Sequence, residues 1–324
     1  MFPQGGQEAI NQSVGWDFGP FGEVLTREKH LLERAERLLI TDFDFSPGLG
    51  NLMFQYASLV AVGKRNNASL VVPADLPLFR SFNLSEAVVV SKQLHNQLLN
   101  KWKRSPNRTI FSDCCRYYNE TEHLDLRREK VLGYFQSFRY FHPEYEAMIR
   151  REYRFLPPIV SMAKELLARA VHSVYKTGAD NVTLVGVHIR RGMDMTLNQR
   201  NMLHGHKVAP ARYFRAAMER LRERVTRPLF VLASDRPDWA KAKVVEGGAK
   251  DAVVLESGYR EVDMCALTLC QMFVMSTGTF SWWAAYLTKA PITLYYQGWP
   301  RAGSEMDLML NRRDFFPREW TPAE

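Results

Sequence analysis

The feature that most constrains the fold is a run of apolar and β-branched residues at 182–189 that leads directly into charged ones. Such a run is typical of a strand that is buried on both faces of a parallel sheet. It ends in His-Ile-Arg-Arg-Gly-Met-Asp at 188–194. A parallel strand delivers these residues to the carboxyl edge of its sheet, where open α/β sheets bind ligands. Two adjacent guanidiniums there favour an anionic ligand, and the alternative is a solvated loop.

The chain after this run alternates predicted strands with predicted helices. The strands fall at residues 229–233, 252–255, 272–276 and 292–296, and the helices at 210–225, 237–244, 261–271 and 280–288. This alternation predicts a parallel, Rossmann-like sheet with right-handed crossovers. Ser234, Asp235 and the segment 277–279 then emerge at the same sheet edge as Arg190.

The first half of the chain carries a similar but less regular pattern. It predicts a strand at 38–41, a glycine-rich turn at 48–51, a helix from Leu52 and a second strand at 69–73. A glycine turn before a helix brings backbone N–H groups close to a phosphate or sugar, although glycines also simply make tight turns. A third strand, rich in aromatic residues, is predicted at 131–141, and its rings suit either a sugar surface or the core.

The length of the chain favours two domains, because 324 residues are more than one core usually organises. We expect a flexible and then helical N-terminal segment at 1–36. A Rossmann-like domain should follow at 37–176, and a second one at 177–324. The polar turn at 176–181 is the predicted boundary between the two domains.

Charge and hydropathy exclude several classes of protein. The net charge of +8 suits a small anionic ligand, and the chain lacks the long Lys/Arg blocks of nucleic-acid-binding tails. No apolar run approaches the roughly 18 residues that a membrane span needs, so we expect these residues to form a soluble protein. The function classes that remain are those of a globular enzyme or binding protein.

Asparagine usage indicates the compartment. Six asparagines begin an Asn-x-Ser/Thr sequon without proline, whereas chance placement would give about one or two. This number favours a lumenal or extracellular protein. The site next to the buried strand is expected to be the least suited to a glycan. The six are Asn11, Asn67, Asn83, Asn107, Asn119 and, beside that strand, Asn181.

The four cysteines are compatible with an oxidising compartment without requiring one. They are Cys114, Cys115, Cys265 and Cys270, and none forms a Cys-x-x-Cys pair. A zinc site is therefore not expected, and all three disulfide pairings remain open. Cys265 and Cys270 lie in an apolar helical pattern that is typical of core residues.

The polar residues at the predicted edge of the second sheet complement one another chemically. Arg190 and Arg191 offer planar forks that match phosphate oxygens. Thr279 and the N–H groups of the helix that begins there supply a second cradle for an anion. A carboxylate beyond a neighbouring strand, such as Asp235, is the usual partner of a ribose hydroxyl or of the guanine N–H pair. Together these residues predict a site for a nucleoside diphosphate.

Four segments in this order resemble the motifs of the α-1,2-fucosyltransferase family, glycosyltransferase family 11. The resemblance extends from about residue 41 to 300. The segments are Gly-Leu-Gly-Asn-Leu-Met-Phe-Gln-Tyr-Ala at 48–57, Gly-Tyr-Phe-Gln-Ser at 133–137, Val-Gly-Val-His-Ile-Arg-Arg-Gly at 185–192 and Thr-Gly-Thr-Phe-Ser-Trp-Trp-Ala-Ala-Tyr-Leu at 277–287.

The resemblance implies a GT-B-like fold, in which two Rossmann-like parallel-sheet domains face a cleft. It further implies inverting, metal-independent transfer of L-fucose from GDP-β-L-fucose to the 2-hydroxyl of a β-galactoside, with no cofactor. Carried over by position, Arg190 holds the diphosphate, His188 and Asp235 the guanosine, and Thr279 and Ser281 a phosphate. The predicted donor-binding set also includes Gly50, Arg191 and Ser234.

The chemistry of the reaction assigns roles to two residues, and the resemblance assigns a role to a third. The leaving GDP gains negative charge as the glycosidic bond breaks, so Arg190 should contribute more to catalysis than to ground-state binding. Carried over by position from the family, Asn51, in the glycine turn, should face the reaction centre across the cleft. An inverting displacement also needs a base for the acceptor hydroxyl, and Asp194 is the carboxylate nearest to the motif.

The sequence departs from the family pattern at this carboxylate. The family has His-x-Arg-Arg-Gly-Asp, whereas here Met193 precedes the Asp. Either the loop bulges and Asp194 still reaches the reaction centre, or another group takes its role. The alternative reading of Asp194 is a carboxylate that stabilises the loop. Asp42 and Asp44 match the Asp-x-Asp of metal-dependent glycosyltransferases, but they stand before a glycine turn, so we predict no metal there.

The family resemblance also bears on location and on the competing functions. It implies a type II membrane protein of the Golgi lumen, whose anchor is absent from this sequence. Two alternatives remain open: a GDP-sugar transferase with a different acceptor, and an inactive, lectin-like glycan-binding relative. A lectin-like module would bind galactosides but not GDP, which distinguishes it from both enzymes.

Overall fold

A computed structural model describes residues 19, 20, 22–102, 114–124, 126–176, 181–246 and 249–324. Most of the predicted N-terminal segment 1–36, the sequon residues Asn11 and Asn107, and most of the predicted boundary turn at 176–181 lie outside these residues. The described chain is an α/β structure with two sheets. The division into domains at residue 176 stays a prediction.

The first sheet contains four parallel strands in the order β3-β2-β1-β4. Its two faces are covered differently, because neighbouring residues of a strand point to opposite sides. Leu38 and Ile40 face a small core below the sheet, whereas Leu39 faces the main core. The elements of this half are α1 (Glu28–Arg34), β1 (Leu38–Ile40), α2 (Leu49–Arg65), β2 (Ser69–Pro73), β3 (Val88–Val90), α3 (Lys92–Lys101) and β4 (Arg128–Lys130).

The prediction of a third, aromatic strand at 131–141 was wrong. The strand ends at Lys130, and a loop and a short 3-10 helix, Phe138–Tyr140, follow it. Phe135 adopts a positive φ of 51°, and its carbonyl accepts a hydrogen bond from the Ser58 hydroxyl at 2.9 Å. The backbone is therefore satisfied locally by a side chain. The apolar rings at 135, 140 and 141 are buried, so the pattern indicated core and not strand.

The second sheet contains six parallel strands in the order β10-β9-β8-β5-β6-β7. Numbered one to six along the chain, they lie in the order 3-2-1-4-5-6 of a Rossmann sheet. The sequence missed only β10, in the tail. The strands are β5 (Thr183–Ile189), β6 (Pro228–Ser234), β7 (Ala252–Val254), β8 (Met272–Met275), β9 (Thr293–Tyr296) and β10 (Thr321–Ala323).

The helices of the second half lie between these strands and before them. Helix α5 packs against α10 and β6, and therefore belongs by its contacts to the second sheet. The helices are α4 (Glu146–Glu152), α5 (Pro157–Tyr175), α6 (Met193–Thr196), α7 (Gln199–His204), α8 (Ala211–Arg222), α9 (Pro237–Ala240), α10 (Arg260–Thr268), α11 (Thr279–Thr288), α12 (Glu305–Met309) and α13 (Arg312–Phe315).

The two halves share one hydrophobic core at the contact between α2 and α11. Phe54 of α2 has its ring centroid 4.5 Å from that of Trp282 and 5.0 Å from that of Trp283. Helix α2 is buried over almost its whole length, which explains why it is apolar on all sides. The contact brings the N-termini of both helices together at the cleft. The predicted α/β architecture of two parallel sheets facing a cleft is confirmed.

The other expectations from composition have definite positions in the structure. Cys114 and Cys115 are joined as a disulfide, whereas Cys265 and Cys270 are free and buried, as their apolar pattern predicted. Asn181, expected to be sheltered by the strand, is exposed in the turn before it. The described sequon residues Asn67, Asn83 and Asn119 are exposed as well. Within the described chain, no helix is both long and apolar enough to cross a membrane.

Candidate active site

The cleft lies at the carboxyl ends of β5 and β8, where the strand order of the second sheet reverses. This reversal is the point at which open α/β sheets bind ligands. One wall carries His188, Arg190 and the segment 277–280. The opposite wall comes from the first half of the chain, with the N-terminus of α2 and the loop that carries Gln136.

Arg190 is held in the cleft by two carboxylates. Its Nη1 donates to Asp235 and its Nη2 donates to Asp194. Its backbone N–H donates to the Ser276 hydroxyl of the neighbouring strand end at 3.2 Å. The side chain is 31% exposed, so part of the guanidinium faces the cleft while its position is fixed. A cation held in this way stabilises an anion without reorganising.

Asp235 has a role in the structure beyond the one predicted for it. Its carboxylate accepts the backbone N–H of Arg191 at 2.7 Å and that of Gly192 at 2.8 Å, besides the guanidinium of Arg190. These contacts fix the loop after β5. Asp235 is therefore a positioning residue for Arg190, and its predicted contact with guanosine stays a prediction.

Asp194 reaches the site despite the extra residue before it. Met193 begins the short helix α6 and is 63% exposed, so the inserted side chain points to solvent. The turn of helix lays Asp194 against Arg190, four residues earlier. The carboxylate lines the cleft and is 51% exposed. This contact with Arg190 is compatible both with a base at the reaction centre and with a carboxylate that stabilises the loop, so the role of Asp194 stays a prediction.

Arg191 does not line the cleft, contrary to its predicted part in donor binding. Its guanidinium carbon lies 4.0 Å from the ring centroid of Trp239. Its Nη1 donates to the carbonyl of Ala209 at 3.2 Å. Burial lowers the pKa of this guanidinium, which nevertheless stays charged. Successive residues after a strand point to opposite sides, so only one of the two arginines faces the ligand.

His188 is buried in the floor of the cleft beside Phe280, with ring centroids 4.8 Å apart. Burial lowers the pKa of its imidazole to about 4, so the ring is neutral at physiological pH. Its Nδ1 lies 3.2 Å from the Ser276 hydroxyl, which also accepts the Arg190 N–H. The serine proton is then directed to Nδ1, and Nε2–H is the remaining donor. This donor suits a nucleoside oxygen.

Ser281 stands behind the cleft wall and does not face it. Its side chain is fully buried, and its hydroxyl accepts the backbone N–H of Ser276 at 3.1 Å. This bond ties the first turn of α11 to the end of β8. The predicted direct contact of Ser281 with a phosphate is therefore wrong in this structure. Ser276, which the sequence analysis did not single out, connects His188, Arg190 and α11.

Thr279 and Asn51 meet across the cleft. The Thr279 hydroxyl donates to Asn51 Oδ1 at 2.6 Å, and the Gln136 amide donates to the same oxygen at 3.0 Å. Asn51 Nδ2 in turn donates to the Ser46 hydroxyl at 2.7 Å. The first N–H groups of α11 have no acceptor within the helix, and they open into this part of the cleft. Gly278, with a φ of 83°, makes the tight entry to the helix.

Gly50 is required for helix packing. A Cβ at this position would lie 2.5 Å from the backbone N of Phe280 and 2.5 Å from the carbonyl carbon of Thr279. The glycine therefore lets the N-terminus of α2 approach that of α11. This contact joins the two helix N-termini where the two walls of the cleft meet, so Gly50 acts through the shape of the site.

Two further polar residues, Ser234 and Asp263, also line the cleft. Ser234, predicted from the edge of β6, lines the cleft, and its hydroxyl accepts the N–H of Arg236 at 3.0 Å. Asp263 of α10 also lines the cleft, and its Oδ1 accepts the Ser257 hydroxyl at 2.7 Å. Burial raises the pKa of the Asp263 carboxyl. No local motif marks Asp263 in the sequence. Asp263 reaches the cleft because the loop after β7 leads into α10.

His206 is a second histidine of the cleft that sequence reasoning did not find. Its Nδ1 is buried and has no hydrogen-bond partner among the described residues. Burial, followed by the neighbouring His204, lowers the pKa of the ring, which favours the neutral form. His206 lines the cleft and interacts electrostatically with Asp194 and Arg190. A neutral imidazole here is able to accept a proton.

The arrangement as a whole suits a nucleoside diphosphate on the wall of the second sheet. A fixed guanidinium and the N-terminus of α11 stabilise the diphosphate, and a neutral histidine and a half-buried carboxylate offer complementary contacts to a nucleoside. Asp42, by contrast, accepts the backbone N–H of Asp44 at 3.1 Å and caps a short 3-10 helix. Among the described residues, no group of three or more His, Cys, Asp or Glu is arranged to hold a metal ion.

Among solved structures, fucosyltransferases are similar to this chain, with low sequence identity and TM-scores below 0.5. A crystal structure of the α-1,6-fucosyltransferase NodZ soaked with GDP-fucose matches with a TM-score of 0.47 and 16% identity, covering 81% of this chain and 95% of that one. A crystal structure of POFUT1 in complex with GDP matches with a TM-score of 0.47 and 13% identity, covering 89% and 99% of the two chains.

Comparison with characterised sequences is more specific. A galactoside 2-alpha-L-fucosyltransferase, SEC1, of Bos taurus is 28% identical over 84% of this chain and 70% of its own length. Galactoside alpha-(1,2)-fucosyltransferase 1 of Homo sapiens is 28% identical over 84% and 71%. The family model described as glycosyl transferase family 11 matches residues 24–323. The resemblance of the sequence motifs is therefore confirmed, and this glycosyltransferase belongs to glycosyl transferase family 11.

Proposed function

We propose that the protein transfers L-fucose from GDP-β-L-fucose to the 2-hydroxyl of a β-galactoside, with inversion and without a metal ion. The observation that carries this proposal is Arg190, a cation fixed by two carboxylates beside the N-terminus of α11. The names of relatives in the same family, which are galactoside α-1,2-fucosyltransferases, support the choice of sugar and acceptor.

The donor is proposed to lie along the wall of the second sheet. Arg190 binds the diphosphate, because its fork matches two phosphate oxygens. The N–H groups at the start of α11 bind the same charge from the other side. Asp235 already accepts three donors from the loop after β5, so we assign the guanine N–H pair to Asp263, whose hydrogen-bond donors among the described residues all belong to Ser257. His188 Nε2–H is the donor toward the ribose.

Metal independence is proposed on electrostatic grounds. Charge develops on the GDP leaving group as the bond to fucose breaks, and preorganised cations and dipoles stabilise that charge. Arg190 and the α11 N-terminus are such groups, and both line the cleft. Activity in the presence of a chelator tests this part of the proposal separately.

The acceptor hydroxyl needs a group that takes its proton, a contribution of about 10²–10⁴-fold to the rate. We propose Asp194 as this base, because it lines the cleft next to Arg190. Its carboxylate is half-exposed and also accepts the Arg190 guanidinium, so it lies between the diphosphate site and the open cleft. His206 is the second candidate, because its ring lines the same cleft and is neutral. Asp194→Asn and His206→Gln distinguish the two through the loss of transfer activity.

The proposed location is the Golgi lumen, as a type II membrane protein. The exposed sequon residues at 67, 83, 119 and 181 support exposure of the protein to a glycosylating compartment. Expression in a secretory cell, followed by removal of N-glycans, tests this proposal. A mobility shift on glycan removal is expected, and its absence would contradict a lumenal location.

The decisive experiment is incubation with GDP-fucose and lactose, followed by determination of the product linkage. Fucose linked α-1,2 to galactose is expected. A fucosylated product with another linkage, or transfer only to other acceptors, would support the related transferase. Calorimetry with GDP tests the lectin-like alternative, since a module with only the acceptor surface would bind galactosides and not GDP.

A further inference from the structure

The wall of the cleft opposite Arg190 carries an aromatic pair that the donor site does not use. Phe45 and Tyr134 have ring centroids 5.0 Å apart, with their planes inclined by 56°. Tyr134 lines the cleft, and Phe45 extends the pair to the rim, where it is 54% exposed. An isolated exposed apolar residue needs no explanation, but an aromatic pair at the mouth of a cleft indicates a ligand surface.

Both rings are attached to segments that are hydrogen-bonded to Asn51. Phe45 precedes Ser46, whose hydroxyl accepts from Asn51 Nδ2 at 2.7 Å. Tyr134 lies two residues before Gln136, whose amide donates to Asn51 Oδ1 at 3.0 Å. The residue between them, Phe135, is buried in the core. The aromatic pair is therefore fixed relative to Asn51 and Thr279, where the two walls of the cleft meet.

The chemistry of the pair suits a pyranose. A β-galactoside presents a face of C–H groups, and the negative face of an aromatic ring attracts such polarised hydrogens. The Tyr134 hydroxyl makes no hydrogen bond with a described residue, so it is available to a sugar hydroxyl. Phe45 supplies apolar area only. This combination of ring faces and one hydroxyl fits a sugar better than a phosphate, since neither side chain carries a positive charge.

We propose that Phe45 and Tyr134 form the binding surface for the acceptor galactose and orient its 2-hydroxyl toward the fucose bound near Arg190. The inference rests on the proposed function, and it adds the place and the chemistry of acceptor recognition. The two aromatic residues are binding residues, because they contact the acceptor and not the bond that breaks.

The test is steady-state kinetics of Phe45→Ala and Tyr134→Ala, with lactose varied at saturating GDP-fucose and then GDP-fucose varied at saturating lactose. Loss of one ring contact of about 0.5–1.5 kcal/mol corresponds to a roughly twofold to tenfold rise in the KM for lactose. The KM for GDP-fucose and the slow hydrolysis of GDP-fucose should stay within about twofold of the wild type. Phe45→Trp should retain the low KM for lactose.

The matched control is Leu308→Ala, which removes a side chain that is 75% exposed on α12. It should change neither KM. Melting temperatures of all variants separate local effects from unfolding. An unchanged KM for lactose in both alanine variants, or an equal rise in both KM values, would overturn the assignment.

A second readout keeps this inference separate from the proposed function. Saturation-transfer NMR with methyl β-galactoside detects acceptor binding without any turnover. If the wild type binds the galactoside and Phe45→Ala does not, the proposed acceptor surface is supported even if the protein does not transfer fucose. If the wild type and Phe45→Ala bind it equally, or neither binds it, the proposed surface is wrong.

Discussion

Thr279 donates its hydroxyl hydrogen to Asn51 Oδ1 at 2.6 Å, and this bond joins the first turn of α11 to the first turn of α2. The two residues are far apart in the chain, and their helices pack against different sheets, α2 against β2 and α11 against β8. Through Gln136 and Ser46, Asn51 thereby connects the cleft wall of the first half of the chain to that of the second half. If the two walls bind acceptor and donor as proposed, this contact sets the relative position of the two substrates.

The first prediction concerns the coupling between these two residues. Thr279→Val and Asn51→Ala should each lower kcat, and the double variant should lose less than the sum of the two. The expected coupling is about 1 kcal/mol, the net contribution of one hydrogen bond. Thr279→Ser, which keeps the hydroxyl, should stay close to the wild type. Strictly additive losses in the double-mutant cycle would show that the bond has no role in turnover.

The second prediction separates the two adjacent arginines. Arg190→Ala should lower kcat by about 10²–10³-fold, because the charge that develops on GDP loses its fixed cation. Arg191→Ala removes the contact with Trp239, so it should lower the melting temperature and leave kcat within about twofold. Rates with GDP-fucose and lactose, and thermal unfolding, measure both effects. Near wild-type transfer by Arg190→Ala would refute the donor-site assignment.

The third prediction concerns the carboxylate that holds Arg190. In Asp235→Asn, an NH₂ group replaces one of two oxygens, of which Oδ1 accepts the Arg191 N–H and Oδ2 accepts the Gly192 N–H and the Arg190 guanidinium. The loop after β5 should loosen, and both GDP affinity and kcat should fall about tenfold or more. Asp238→Asn, the same substitution at an exposed residue of α9, is the control and should have no effect. Calorimetry with GDP gives the affinity directly.

The fourth prediction is a pH dependence of stability. Burial lowers the pKa of His188 to about 4 in the folded protein, whereas the unfolded value is about 6.5. Between these two pH values the His188 ring is protonated in the unfolded state but not in the folded state. The contribution of the neutral ring to the free energy of unfolding is therefore complete above pH 6.5 and is lost as the pH falls toward 4.

Denaturant unfolding at pH 7 and pH 4 checks this dependence. His188→Gln should lose less stability on acidification than the wild type, by up to about 3 kcal/mol, because each pKa unit corresponds to about 1.4 kcal/mol. His95, whose pKa burial also lowers to about 4, is retained in both proteins and cancels in the comparison. Equal losses of stability in the two proteins would contradict the assignment to His188.

The fifth prediction tests the close approach of the two helices. Gly50→Ala adds a Cβ that would lie 2.5 Å from the backbone of α11, where no flexible side chain is able to yield. The free energy of unfolding should fall by roughly 1–3 kcal/mol, the usual cost of overpacking. Gly19→Ala, at a position with nothing within 4 Å, should be neutral. Equal stability of the two variants would argue against the tight helix contact.

The sequence alone determined much about this protein. Periodicity of the apolar residues predicted the strands of the second sheet within about a residue at most ends, and their alternation with helices determined the parallel order. Arg190, His188 and Thr279 followed from that order, because the carboxyl ends of parallel strands meet at one edge. The four motifs were specific enough to identify the family. Strand periodicity and short motifs depend on residues that are close in the sequence, so they could be predicted without the tertiary structure.

The direction of each side chain was decided only by the tertiary structure. Arg191 stacks over Trp239, Asp235 accepts backbone N–H groups of the loop after β5, and the buried Ser281 hydroxyl accepts the N–H of Ser276. The rings near Phe135 entered the core although their pattern predicted a strand. Asp263 reached the cleft without any motif. Each of these outcomes depends on contacts between residues that are distant in the chain. The direction of a side chain is set by the hydrogen-bond partner or packing surface that the fold brings next to it.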